Sequence, residues 1–139
     1  MRISYSDDED YGGQFELWQA NCQRSLRGKA GQRELRFLRD ALLAMPVKRL
    51  IRGALEHDGD VCAIACYGRA KGLDLMEFGE YASDAVGVAG GMPRLVAWKT
   101  VEMNDIELDR ETPEERYRKM LAWVERQLVP TSARSLREL

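Results

Sequence analysis

Asp60-Val61-Cys62-Ala63-Ile64-Ala65-Cys66-Tyr67, bounded by Gly59 and Gly68, is the most apolar run in the chain. No charge falls between Val61 and Tyr67, and most of these side chains are small. A segment apolar on every side belongs inside a core, and small side chains let neighbouring helices approach closely. The run therefore predicts a central helix. Asp58 or Asp60 is placed to accept hydrogen bonds from its first free amides, and Gly72 to take the left-handed conformation that ends it.

Towards the N-terminus, Val47, Leu50, Ile51, Ala54 and Leu55 repeat at the spacing of a buried helix face. They predict a helix opened by Pro46, ending around residues 57–59 and joined by a tight turn to the central one. Leu35, Leu38, Leu42 and Met45 mark the helix before it, which Pro46 breaks. Phe15, Trp18, Cys22 and Leu26 predict a first helix over residues 13–27 that ends near Gly28. Charge, Ser and a Gly pair make residues 1–12 an expected flexible acidic lead-in.

Towards the C-terminus, Asp74 and Glu77 resemble a capping box for a helix carrying Leu75, Phe78, Tyr81 and Ala82. The glycine-rich residues 87–93 lack the G-x-x-x-x-G-K-[ST] order and follow no strand, so they read as an interhelical loop and not a phosphate cradle. In residues 95–103, Val96, Trp98 and Thr100 alternate as in a strand while Leu95, Trp98 and Glu102 suit a helix less well; helical neighbours and Pro93 nevertheless favour helix, ended by Asn104-Asp105. Thr112-Pro113-Glu114-Glu115 sets a capping hydroxyl, a first-turn proline and a third-position glutamate in order. Tyr117, Met120, Leu121, Val124 and Leu128 form the buried stripe of the helix it starts, which Pro130 closes before an expected frayed tail over 130–139. The expected fold is an all-α, compact single-domain bundle of six or seven helices over residues 13–129.

Composition agrees with one globular domain: 139 residues, 45% hydrophobic and 32% charged. No run reaches the roughly 18 apolar residues of a membrane helix. The acidic N-terminus is unlike a secretory signal, so a cytoplasmic protein without a membrane contact is expected. Three cysteines, an odd number, fit reduced thiols.

Charge is segregated along the chain. Residues 1–23 carry one basic and five acidic side chains, a balance of -4, whereas residues 24–52 carry nine basic and two acidic, a balance of +7. The remainder is acidic again. Arg24, Arg27 and Lys29 close the first helix and its joint, and Arg33, Arg36 and Arg39 continue along the second. Such a stripe suits an acidic partner, a protein surface or nucleic acid, and equally suits a solvated polar face paired with the chain's own carboxylates.

Chemistry beyond binding has thinner support. Cys62 is expected in the first turn of the central helix, where free amides favour a thiolate; His57 is the candidate base, and Asn104 or Asp105 the group that orients it. The bland reading is a packed thiol in a run of core residues. Cys62, Cys66, His57 and Cys22 do not have the turn-based spacing of structural zinc sites, so no metal and no cofactor are expected.

Cys62-Ala63-Ile64, with Asn104-Asp105 and Thr112-Pro113-Glu114-Glu115 downstream, resembles uncharacterised small helical proteins of bacteria and phages that pair a C-A-[IV]-G-A-like helix with an N-D turn and a T-x-E-E helix start. The chain departs from that pattern at Ala65, where the glycine stands. The resemblance spans about residues 58–128 and implies a phage or mobile-element origin, with no activity attached. Together these readings lead to the expectation of a non-enzymatic accessory protein that binds an acidic partner, a host protein ahead of nucleic acid, with a cysteine-dependent enzyme centred on Cys62 as the rival.

Overall fold

The computed structural model describes residues 5–79 and 83–130. Along the chain come α1 (Tyr5–Arg27), α2 (Lys29–Ala44), a two-stranded hairpin of β1 (Glu56–His57) and β2 (Asp60–Val61), α3 (Ala63–Ala70), a 3-10 turn (Leu75–Glu77), α4 (Ser83–Gly90), α5 (Arg94–Glu102), a π turn (Met103–Glu107) and α6 (Pro113–Gln127). This is an all-α domain with one small antiparallel hairpin. The central helix takes the later part of the apolar run, since Asp60 and Val61 form a strand and Cys62 stands just before the helix; every residue from Ala63 to Gly68 is buried, and α2, α4 and α5 pack around α3. Helix α6 packs on α2, and α1 contacts α2 and α5.

Small residues set the closest crossings. A Cβ on Gly87 of α4 would stand 2.6 Å from the Ala97 Cβ and 2.8 Å from the Ile64 Cδ1, so α4 can wedge between α3 and α5 only without a side chain there. On α2, Leu35, Leu38 and Leu42 are each wholly buried, a contribution of about 1.5–3 kcal/mol per side chain. The start of α6 is as expected, with the Thr112 hydroxyl accepting from the Glu115 amide at 3.1 Å and Pro113 in the first turn. Residues 94–102 are helical, and Gly72, with φ of 83°, ends α3 by a Schellman pair in which the Leu73 and Gly72 amides donate to the Gly68 and Arg69 carbonyls.

The structure departs from several expectations. Residues 46–55 form no helix, although Leu50 and Leu55 are buried as their spacing requires. Their backbone groups find tertiary partners instead: the Leu50 amide donates to the Pro113 carbonyl and the Ile51 amide to the Val61 carbonyl, both at 3.0 Å, and the Leu50 carbonyl accepts from Arg116 Nη1 at 2.9 Å. Gly53, at φ of 78°, interrupts any helical path. The tight turn that follows is a hairpin turn, since Asp58 (φ 52°) and Gly59 (φ 88°) both take the positive φ that a two-residue type I′ turn demands.

The second correction concerns residues 74–90. Asp74 caps only a 3-10 turn, its side chain accepting from the Met76 amide, and the expected helix through Phe78 does not form; Tyr81 and Ala82 lie outside the described residues. The helix comes later, over residues 83–90, and its last turn, 87–90, occupies the start of the expected glycine-rich loop. Its glycines serve packing.

Thirdly, neither Asp58 nor Asp60 caps α3. Asp60 pairs with Arg49 at 3.0 Å and Asp58 with His57 at 3.2 Å. The cap comes from 41 residues downstream: Asn104 Oδ1 accepts from the Ala63 amide at 3.2 Å. The π turn, closed by the Leu108 amide on the Met103 carbonyl, leaves Asn104 buried while Ile106 is 60% exposed. At the N-terminal end, α1 begins at Tyr5, ahead of the expected start at residue 13; residues 131–139, the expected frayed tail, lie outside the described residues.

Candidate functional site

The joint between α1 and α2 is a single residue, Gly28, which accounts for the tight grouping of the basic block. Its extended φ and ψ turn the chain between Arg27, the last residue of α1, and Lys29, the first of α2. One turn further on, a Cβ on Gly31 would stand 2.0 Å from the Ser25 carbonyl oxygen and 3.0 Å from that of Leu26. Backbone packs on backbone here. Gln32 then fastens the corner, donating from Nε2 to the Leu26 carbonyl at 2.8 Å and the Gln127 carbonyl at 2.9 Å, and accepting from the Val129 amide at 2.7 Å. The ends of α1, α2 and α6 are thus joined through one buried amide side chain.

On this corner Arg24, Arg27, Lys29 and Arg33 are exposed, while Arg36 and Arg39 are half-buried. Some of the charge is engaged within the chain: Arg24 donates to Asn21, Arg33 Nε to Glu34 at 2.7 Å and Arg39 Nε to Asp40 at 3.1 Å. Arg27 and Lys29 make no such contact among the described residues. They flank Gly28. Arg24 and Arg27 lie in the last turn of α1, where the helix dipole favours positive charge, whereas Lys29 opens α2.

No protein-family model, curated protein or solved structure matches this chain.

Beneath the stripe lies a buried ionic cluster that the hydrophobic pattern did not reveal. Glu34 is 3% exposed and accepts hydrogen bonds from the Tyr67 hydroxyl at 2.6 Å, Arg33 Nε at 2.7 Å and Lys71 Nζ at 2.9 Å. Desolvation opposes its ionisation, yet these three donors outweigh it and hold the carboxyl at about 2. Burial, and then the Glu34 carboxylate, push the Tyr67 phenol upward. Lys71 also lies 4.1 Å from the Phe37 ring centroid. The one sequence signal was Tyr67 itself, a hydroxyl in an otherwise apolar run that needs a buried partner. A second buried charge, Arg116, gathers the carbonyls of Leu50, Leu108, Asp109 and Glu111, and burial lowers its pKa.

Cys62 precedes α3 at its N-cap position and is 4% exposed. Burial pushes its thiol up to about 12, the opposite of the shift a nucleophile requires. The Asp105 carboxylate acts in the same direction. Asn104 and Asp105 do reach this helix end, but Asn104 Nδ2 is spent on the Ile51 carbonyl and on Asp105 Oδ1, and His57 stands exposed on the hairpin arm beside Asp58. Cys66 is likewise pushed up by burial, to about 11. Among the described residues, no three His, Cys, Asp or Glu side chains are grouped to hold a metal ion.

Proposed function

We propose that this chain is a non-enzymatic binding protein, an accessory factor of phage or mobile-element origin, that engages an acidic surface on a host protein. The contact face is Arg24, Arg27, Lys29, Arg33, Arg36 and Arg39. What carries the reading is the Gly28–Gly31 corner, which brings two helix ends together and leaves Arg27 and Lys29 exposed, with no ion-pair partner among the described residues. The protonated state that burial imposes on Cys62 weighs against the cysteine-enzyme rival. Acidic lengths of chain before and after the basic block disfavour a long duplex lying beside it.

The test is fluorescence anisotropy with an Asp/Glu-rich peptide and with a short DNA duplex, each titrated at rising salt. The protein reading expects peptide binding that weakens gently with salt, and no sequence-independent duplex binding. Arg27→Glu with Lys29→Glu should abolish it at unchanged helicity, since neither residue supports the core. Duplex binding with a steep salt slope would transfer the site to nucleic acid. Undiminished peptide binding by the doubly reversed protein would remove the site altogether.

A further inference from the structure

At the crossing of α1 and α5 lies a second surface of opposite character. Phe15 and Trp18 of α1 stack with centroids 6.1 Å apart, and Trp98 of α5 meets Trp18 edge-on at 4.9 Å. With Gln14 and Glu102 they line an open groove of about 480 Å³. Trp98 and Glu102 also line the adjoining depression of about 370 Å³, which adds Asp84, Asp105 and Ile106. Phe15, Trp98 and Ile106 are 47%, 38% and 60% exposed, so three large apolar side chains face solvent together. The carboxylates of the continuous lining are Glu102, Asp84 and Asp105, and no Lys or Arg belongs to it.

We propose that this groove docks a basic, arginine-bearing segment of a partner protein. Indole faces and carboxylates side by side suit the planar guanidinium, which stacks on aromatic rings while its N–H groups pair with carboxylate oxygens. The protein already contains an internal version of the arrangement. Lys99 holds its ammonium 5.4 Å from the Trp18 centroid while pairing with Glu102 at 2.7 Å. Asp84 has no partner among the described residues and is the free counter-ion for an incoming cation. A neutral apolar occupant would leave the Asp84 carboxylate desolvated without a partner, an uncompensated cost.

The chain has three tryptophans, and Trp123 is 5% exposed in the core, which supplies an internal control. The probe is an N-acetylated, C-amidated arginine tetrapeptide, compared with the same peptide built from citrulline, which keeps the shape and loses the charge. In 15N correlation spectra the indole N–H signals of Trp18 and Trp98 should move with the arginine peptide, while that of Trp123 stays. Glu102→Gln should weaken binding about tenfold. That variant also releases Lys99, so Asp84→Asn, expected to weaken binding about fivefold, separates the two effects. Equal shifts with the citrulline peptide would overturn the charge-directed reading. Concentration-dependent shifts without peptide would give the groove to a second copy of the chain, and no shift at millimolar peptide would overturn the site.

Discussion

The hydroxyl of Tyr67 donates a 2.6 Å hydrogen bond to Oε1 of Glu34, joining the most buried helix of the fold to the helix that carries the basic stripe. Because Lys71 and Arg33 converge on the same carboxylate, the pair couples the core to surface charge.

Stability should depend on that carboxylate's ionisation. Its folded pKa, about 2, lies below the ordinary value of 4.5, so its contribution is complete above the unfolded value and is lost as pH falls through about 2. The shift corresponds to about 3 kcal/mol. Glu34→Gln should lower stability at neutral pH by an amount of that order, and flatten the pH dependence of denaturant unfolding between about pH 4.5 and 2. A variant whose unfolding curve keeps the wild-type acid slope would show that other carboxylates set it.

Gly31 should tolerate no side chain. Alanine improves helix propensity by roughly 1 kcal/mol over glycine. The added carbon, however, would meet the Ser25 carbonyl oxygen at 2.0 Å, a backbone atom with no rotamer to yield. Gly31→Ala is expected to cost about 3 kcal/mol net, read as a drop in melting temperature, and to weaken binding at the α1–α2 corner. A stabilised Gly31→Ala protein would mean that the two helices separate cheaply.

Asn104 should be irreplaceable by its own acid. It accepts from the buried Ala63 amide and donates to the half-buried Ile51 carbonyl. Asn104→Ala strands both groups, at a cost of about 2–4 kcal/mol. Asn104→Asp keeps the acceptor but loses the donor and sets a second carboxylate beside Asp105, now 2.6 Å from Asn104 Nδ2, so it should cost at least as much as alanine. Cys62, sealed beneath this contact, then becomes accessible to a thiol reagent well before global unfolding. Wild-type stability in Asn104→Asp would deny the cap any role.

By itself, the sequence determined what local chemistry determines: the helix starts and stops at Thr112-Pro113, Gly28, Pro46 and Gly72, the burial of the run from Val61 to Tyr67, and the closeness of Arg24, Arg27 and Lys29 to the end of α1, although residues 28–31 read as a connection and only Gly28 is one. These follow from φ preferences, capping groups and apolar spacing, all of which act over a few residues. The hairpin also had a local signal, Asp58-Gly59, which the helical spacing of Val47 to Leu55 outweighed on paper. Only the tertiary structure decided that contest, because the backbone of Leu50 and Ile51 bonds to Pro113, Asn104 and Arg116, tens of residues downstream, as well as to nearby Val61. The same holds for the buried charges. Glu34 and Arg116 read as surface residues until Tyr67, Lys71 and the carbonyls of distant loops are brought around them. Likewise Trp18 and Trp98 read as halves of two apolar stripes until the crossing of α1 and α5 makes one groove of them. A polar group's place depends on who satisfies it, and satisfaction across tens of residues is a property of the fold.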